Sequence, residues 1–171
     1  YLPKDVVAGD FYWAEIRNGL FYFAVADSTG HGVPGAMVSV VCSNSLNRAV
    51  KEFGRTEPGQ ILDKTRELIL ETFEKSNSAV NDGMDISLLC LDRPRNEISW
   101  SGANNSLWYI EDGQFKEICA DKQPVGRSYN SKSFNTHRIT TQPGTVLYLI
   151  TDGFADQFGG PKGKKFKYRQ L

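Results

Sequence analysis

The sequence has few cysteines, no long apolar run and no excess of either charge, and each shortage closes off a class of protein. Cys42, Cys90 and Cys119 are the three cysteines in 171 residues, with no Cys-x-x-Cys spacing among them. An odd, scattered set with apolar neighbours excludes a disulfide framework and a zinc-thiolate site. All three read as small buried hydrophobes in a reducing compartment. The longest strongly apolar run, Leu20 to Ala26, falls far short of the roughly 20 residues that a membrane-spanning helix needs. No signal-peptide pattern stands at the start, and the expected setting is cytoplasmic, either free or as the cytoplasmic domain of a larger, membrane-anchored sensor. Lys plus Arg and Asp plus Glu number 20 each, which argues against bulk attraction to nucleic acid or to an anionic membrane. Repeats, low-complexity tracts and linkers are also missing. What remains is 40% apolar and 23% charged, the mix of one globular domain over residues 1–171 with a core of useful size.

Hydrophobic patterning divides the chain into strands, two helices and more strands. Residues 9–17 and 20–26 are apolar and aromatic runs flanking Asn18-Gly19. That dipeptide accepts positive φ at both positions and predicts a tight hairpin. Gly30 to Gly35 reads as a bend. Residues 36–50 are apolar almost all round and predict a buried helix starting near Pro34 or Gly35. A second helix is expected from Pro58 to Lys75, with Ile61, Leu62, Thr65, Leu68, Ile69, Thr72 and Phe73 at helical spacing. Strands are expected at 85–91, 97–102, 106–110 and 114–119, with Asp112-Gly113 as a second tight turn. Pro143-Gly144 opens Thr145 to Thr151, apolar enough for a central strand. This order predicts a layered α+β domain with helices covering antiparallel sheets.

The first hairpin carries the chemistry. With Asn18 and Gly19 as loop residues, cross-strand partners have numbers summing to 37, so Asp10 lies opposite Asp27. Opposed Cβ atoms stand about 5 Å apart, and two carboxylates there repel by roughly 3 kcal/mol at an effective dielectric near 20. Their neighbours on that face are Tyr12, Ala14, Ile16, Val25, Phe23 and Phe21, so burial is expected. A buried like-charge pair calls for a shared proton or a cation. All-oxygen ligation suits Mg²⁺ or Mn²⁺. Asp152, after the 145–151 strand and before Gly153, is a third candidate ligand. The same acids also suit turn caps, and a register one residue off would put Asp10 and Asp27 on opposite faces. Gly30-His31-Gly32 reads as a loop, or as a phosphate cradle with a catalytic imidazole. The run Pro161 to Arg169 reads as a solvated basic loop or a phosphate contact.

These pieces resemble a known family. GDFYW (9–13), ADSTGHGVPGAM (26–37), DGMDISLLCLD (82–92), SGANNSLWYI (101–110), QPVG (123–126) and LYLITDGFADQFGG (147–160) follow in the order seen in the SpoIIE/RsbU branch of the PPM, or type 2C-like, metal-dependent protein phosphatases. The resemblance covers nearly the whole chain. It implies an α-β-β-α sandwich of two antiparallel sheets flanked by helices, with two Mn²⁺ or Mg²⁺ ions at one end. By position, Asp10, Asp27, the Ser28 backbone carbonyl and Asp152 match metal-contacting groups. His31 is a candidate for protonating the leaving oxygen. It implies hydrolysis of phosphoserine or phosphothreonine by metal-activated water in bacterial signalling. The implied partner is a phosphorylated protein of the anti-sigma-factor-antagonist kind, and the implied parent chain carries an N-terminal sensor domain. The family's further Asp-Asp-x-Thr stretch and the phosphate-binding arginine of eukaryotic relatives have no counterpart here. A missing C-terminal helix/strand segment is therefore expected, and a catalytically impaired binding module is the alternative. The charge balance argues against a nuclease.

Overall fold

The computed structural model describes residues 6–74, 82–161 and 163–167. Two strands, β1 (Phe11–Arg17) and β2 (Leu20–Ser28), open the chain and are followed by α1 (Gly32–Lys51) and α2 (Pro58–Glu74). Then come β3 (Gly83–Asp92), β4 (Glu97–Ala103), β5 (Leu107–Glu111), β6 (Gln114–Ile118), β7 (Val125–Gly126), β8 (His137–Ile139) and β9 (Val146–Tyr148). A single-turn helix α3 (Asp152–Ala155) and a small hairpin of β10 (Phe158–Gly159) and β11 (Lys164–Lys165) complete the described part. The expected second-helix end at Lys75, and Lys162, Tyr168 and Arg169 of the basic run, lie outside the described residues.

Antiparallel pairing builds a six-stranded sheet in the order β1-β2-β3-β4-β8, with β7 also on β3, and a three-stranded sheet in the order β6-β5-β9. Both tight turns form where expected. Asn18 and Gly19 have φ of 51° and 80°, and Asp112 and Gly113 have φ of 50° and 71°, the left-handed pair that matches strand twist.

One core lies between the helices and the large sheet. It joins Trp13, Tyr22, Ala24 and Ala26 of the hairpin and Ile86 and Leu88 of β3 to Cys42 and Leu46 of α1 and Ile61 and Ile69 of α2. Each fully buried large aliphatic side chain stabilises the fold by about 1.5–3 kcal/mol. A second core, of Leu89, Trp100, Leu107, Ala120 and Ile139, lies between the two sheets. The layers among the described residues are thus helices, sheet and sheet, three of the four layers of the α-β-β-α sandwich expected.

Four expectations need correction. Helix α1 is not buried all round. Val33, Met37 and Val40 form an exposed stripe, because only the side carrying Val38, Cys42 and Leu46 meets α2 and the sheet. It also starts earlier than expected, at Gly32. The strand at Thr145–Thr151 shrinks to Val146–Tyr148 and sits at a sheet edge. Among the described residues its neighbour is β5 alone, so Val146 and Tyr148 are exposed while Leu147 packs inward. Finally, Cys119 is exposed, unlike Cys42 and Cys90, because residue 119 follows the end of β6.

Candidate metal centre

The hairpin register is the one the arithmetic requires. Phe11 pairs with Ala26 and Arg17 with Leu20, so one step further Asp10 faces Asp27. The face they share is not the buried one. Trp13, Tyr22, Ala24 and Ala26 point into the helix-side core, whereas Tyr12 and Ile16 are 77% and 71% exposed. The reason is coverage: the second sheet packs on β3, β4 and β8 and leaves β1 open.

Asp27 then meets a third acid from the other side. Strands β2 and β3 pair Asp27 with Asp85. Strands β3 and β4 pair Ile86 with Ala103, so the next step sets Asp85 opposite Asn104, whose Nδ2 donates to Asp85 Oδ1 at 2.8 Å. Asp10, Asp27, Asp85 and Asn104 therefore form a row across four adjacent strands, on one face and near one end of the sheet. Asp152, the first residue of α3, comes against this row. The Thr151 hydroxyl donates to Asp10 Oδ2 at 3.1 Å, and the position a Cβ would take on Gly153 is 3.1 Å from the same oxygen.

The electrostatics follow from this convergence. Asp27 is pushed up to about 8, first by burial and then by Asp10 and Asp152. Asp85 is also raised, by burial above all and by Asp152, with the Asn104 hydrogen bond opposing the rise. Like charges close together favour protonation or a bound cation. Among the described residues no Lys or Arg forms an ion pair with Asp27, Asp85 or Asp152, and no three His, Cys, Asp or Glu side chains already stand in ligating geometry. The donor set is all oxygen and suits a hard divalent cation.

The backbone around the row is drawn tight. Ser28 lies opposite Gly9, and its hydroxyl reaches the Gly9 and Gly35 carbonyls at 3.0 Å each. The Ser28 carbonyl oxygen is 2.8 Å from where a Cβ on Gly9 would sit, so it is directed at the start of β1 beside Asp10. Gly30 and Gly32 have φ of 89° and 61°, which L side chains adopt at a cost. Gly35 is held by contact instead, its Cβ position being 2.5 Å from the Gly30 carbonyl oxygen. His31 occupies the N-cap position of α1. Together with Asp27, Ser28, Asp85 and Pro124 it lines an open cavity of about 430 Å³.

The structure therefore brings Asp10, Asp27, Ser28, His31 and Asp152 to one end of the sheet. The basic run is not part of the row. Its described portion folds as the β10–β11 hairpin, with Lys165 paired to Asp156 at 2.5 Å and the Lys167 N–H on the Ala155 carbonyl. Sequence reasoning missed Asp85, Asn104 and Thr151.

The fold is that of PPM-type phosphatase domains. Residues 17–171 match the family model described as Stage II sporulation protein E (SpoIIE), and the chain belongs to that family. The SiaA-PP2C domain of Pseudomonas aeruginosa superposes with a TM-score of 0.83 at 32% identity, over 98% of this chain and 65% of that one. This chain thus spans about two thirds of that relative's length. The RsbU and RsbW domains of a Mycobacterium tuberculosis protein give a TM-score of 0.71 at 20% identity, over 91% of this chain and 42% of that one. RsbX in complex with magnesium gives 0.65 at 16% identity, over 94% and 73%. No curated protein matches the sequence.

Proposed function

We propose that this chain is the metal-binding core of a protein phosphatase that hydrolyses phosphoserine and phosphothreonine on a regulatory protein. The observation that carries the reading is the convergence of Asp10, Asp27 and Asp152, from three separate elements, beside an open cavity. Bound Mn²⁺ or Mg²⁺, two ions in the complete domain, would supply an activated water and offset phosphate charge. Asp10, Asp27, Asp152 and the Ser28 carbonyl would hold the cations, with Asp27 placed between Asp10 and Asp152. Among the described residues no Lys or Arg lines the cavity, so bound cations would supply the positive charge that a phosphate needs there. His31, on the cavity wall, is placed to donate a proton to the leaving serine oxygen.

The partner is a phosphoprotein, and an anti-sigma-factor antagonist is the leading class. This rests on similarity to the RsbU and SpoIIE regulators. A sensor domain preceding this segment in the parent chain and a cytoplasmic setting complete the proposal. No helix among the described residues is long and apolar enough to cross a membrane.

The test is phosphate release from a phosphoserine peptide at millimolar Mn²⁺, with Asp27→Asn as comparison. Metal-dependent release by the full-length parent protein, and none by its Asp27→Asn variant, is expected. A second reading is a binding module without turnover. A folded chain that binds Mn²⁺ yet releases no phosphate supports that reading.

A further inference from the structure

We propose that Asp85 is a further metal-holding carboxylate of this centre and that Asn104 is its positioning residue. The inference rests on the metal reading above but not on catalysis. Asp85 is set directly opposite Asp27 by the β2–β3 register, just as Asp10 is set opposite Asp27 by the hairpin. Opposed Cβ atoms in an antiparallel pair are about 5 Å apart, so Asp27 has an acid at one strand spacing on either side. Asp85 also lines the same cavity as Asp27 and His31.

Three observations separate Asp85 from an ordinary surface acid. First, it is not turned out to water; it is partly buried at the sheet end, where an acid without compensation is costly. Second, among the described residues it has no basic partner, only the neutral amide of Asn104. That amide is itself fixed. Asn104 adopts φ of 57°, its backbone N–H donates to the Asp121 carbonyl at 2.9 Å, and its side chain is left to hold one Asp85 oxygen. The other oxygen remains available, which is how an outer-shell donor orients a metal ligand.

Third, the charges balance. Asp10, Asp27 and Asp152 supply three negative charges, one short of two divalent cations; Asp85 makes four. Asp27 is flanked by Asp10 and Asp85 and faced by Asp152.

The test is Mn²⁺ titration by calorimetry on the whole chain, comparing the parent with Asp85→Asn, Asn104→Gly and Asp92→Asn. Glycine at 104 keeps the left-handed backbone accessible and removes only the amide. Asp92 lies at the far end of the same strand, paired with Arg95, and controls for net charge. Asp85→Asn is expected to weaken Mn²⁺ binding by more than about tenfold, and Asn104→Gly by about tenfold. Asp92→Asn should match the parent. Metal-free melting of Asp85→Asn at or above the parent value establishes that the variant is folded. Parent-like Mn²⁺ affinity in a folded Asp85→Asn overturns the inference while leaving the metal centre intact. A parent that binds no Mn²⁺ overturns both. Loss of phosphatase activity alone bears on neither, since affinity is the readout.

Discussion

Thr151 and Asp10 are 141 positions apart in the chain, yet the Thr151 hydroxyl donates to an Asp10 carboxylate oxygen at 3.1 Å. This bond fastens the turn that delivers Asp152 onto the end of β1. Thr151→Val removes the donor while nearly keeping side-chain volume. It should cost about 1 kcal/mol of stability and weaken Mn²⁺ binding, because Asp10 loses its orientation and Asp152 its tether. Denaturant unfolding and calorimetry check the two effects separately. A variant that unfolds earlier yet binds Mn²⁺ like the parent would make the bond structural only.

Asp27 makes metal-free stability depend on pH in an unusual direction. Its carboxyl is raised from 3.8 to about 8, by burial first and then by Asp10 and Asp152. Between these values the folded chain retains a proton that the unfolded chain has released, so stability is lost as pH rises through that window. With metal stripped, the melting temperature should fall between about pH 5 and pH 8. Asp27→Asn should flatten that fall and raise melting at the upper end. Added Mn²⁺ should stabilise most at the upper end, where the carboxylates are free to bind it. A metal-free chain that grows more stable toward pH 8 would contradict the opposed-acid geometry.

The bend after Asp27 should be sensitive at chosen glycines only. Gly35→Ala places a Cβ 2.5 Å from the Gly30 carbonyl oxygen, so backbone must shift, at about 1–3 kcal/mol. Gly159 has open space around it and no positive φ, so Gly159→Ala should be silent. Thermal unfolding of the two variants side by side gives the comparison, and equal melting temperatures would show that the close approach is not present in solution.

The thiols should separate by exposure. Burial pushes the Cys42 thiol up to about 12, and Cys90 is raised by burial as well. Only Cys119 is exposed. Since the thiolate is the reacting form, native protein near pH 8 should take one alkyl group quickly, at Cys119, and two more only after unfolding. Mass spectrometry of the alkylated chain locates them; rapid labelling of Cys42 would mean that α1 is loosely packed.

What was legible in the sequence follows from what local chemistry controls. Asn18-Gly19 permits one turn geometry, so the Asp10–Asp27 register can be counted from residue numbers alone. The buried face of that hairpin cannot, because both faces are apolar and the choice depends on which layer covers β1. Asp85 stays hidden for a related reason. Two helices separate β2 from β3, so no tight turn sets their register, and the Asp27–Asp85 pairing appears only once the sheet is assembled. Asn104 is hidden in the same way, although its left-handed backbone suits an Asn. The apolar run at 145–151 looks central because periodicity reports side-chain type and not the number of neighbouring strands.

The most direct test of the metal centre is anomalous diffraction at the manganese edge from crystals grown with Mn²⁺. A manganese peak bounded by the Asp10 and Asp27 carboxylates and facing Asp152 is the expected result. Manganese confined to other surface carboxylates, with the gap between Asp10 and Asp27 holding none, would contradict it.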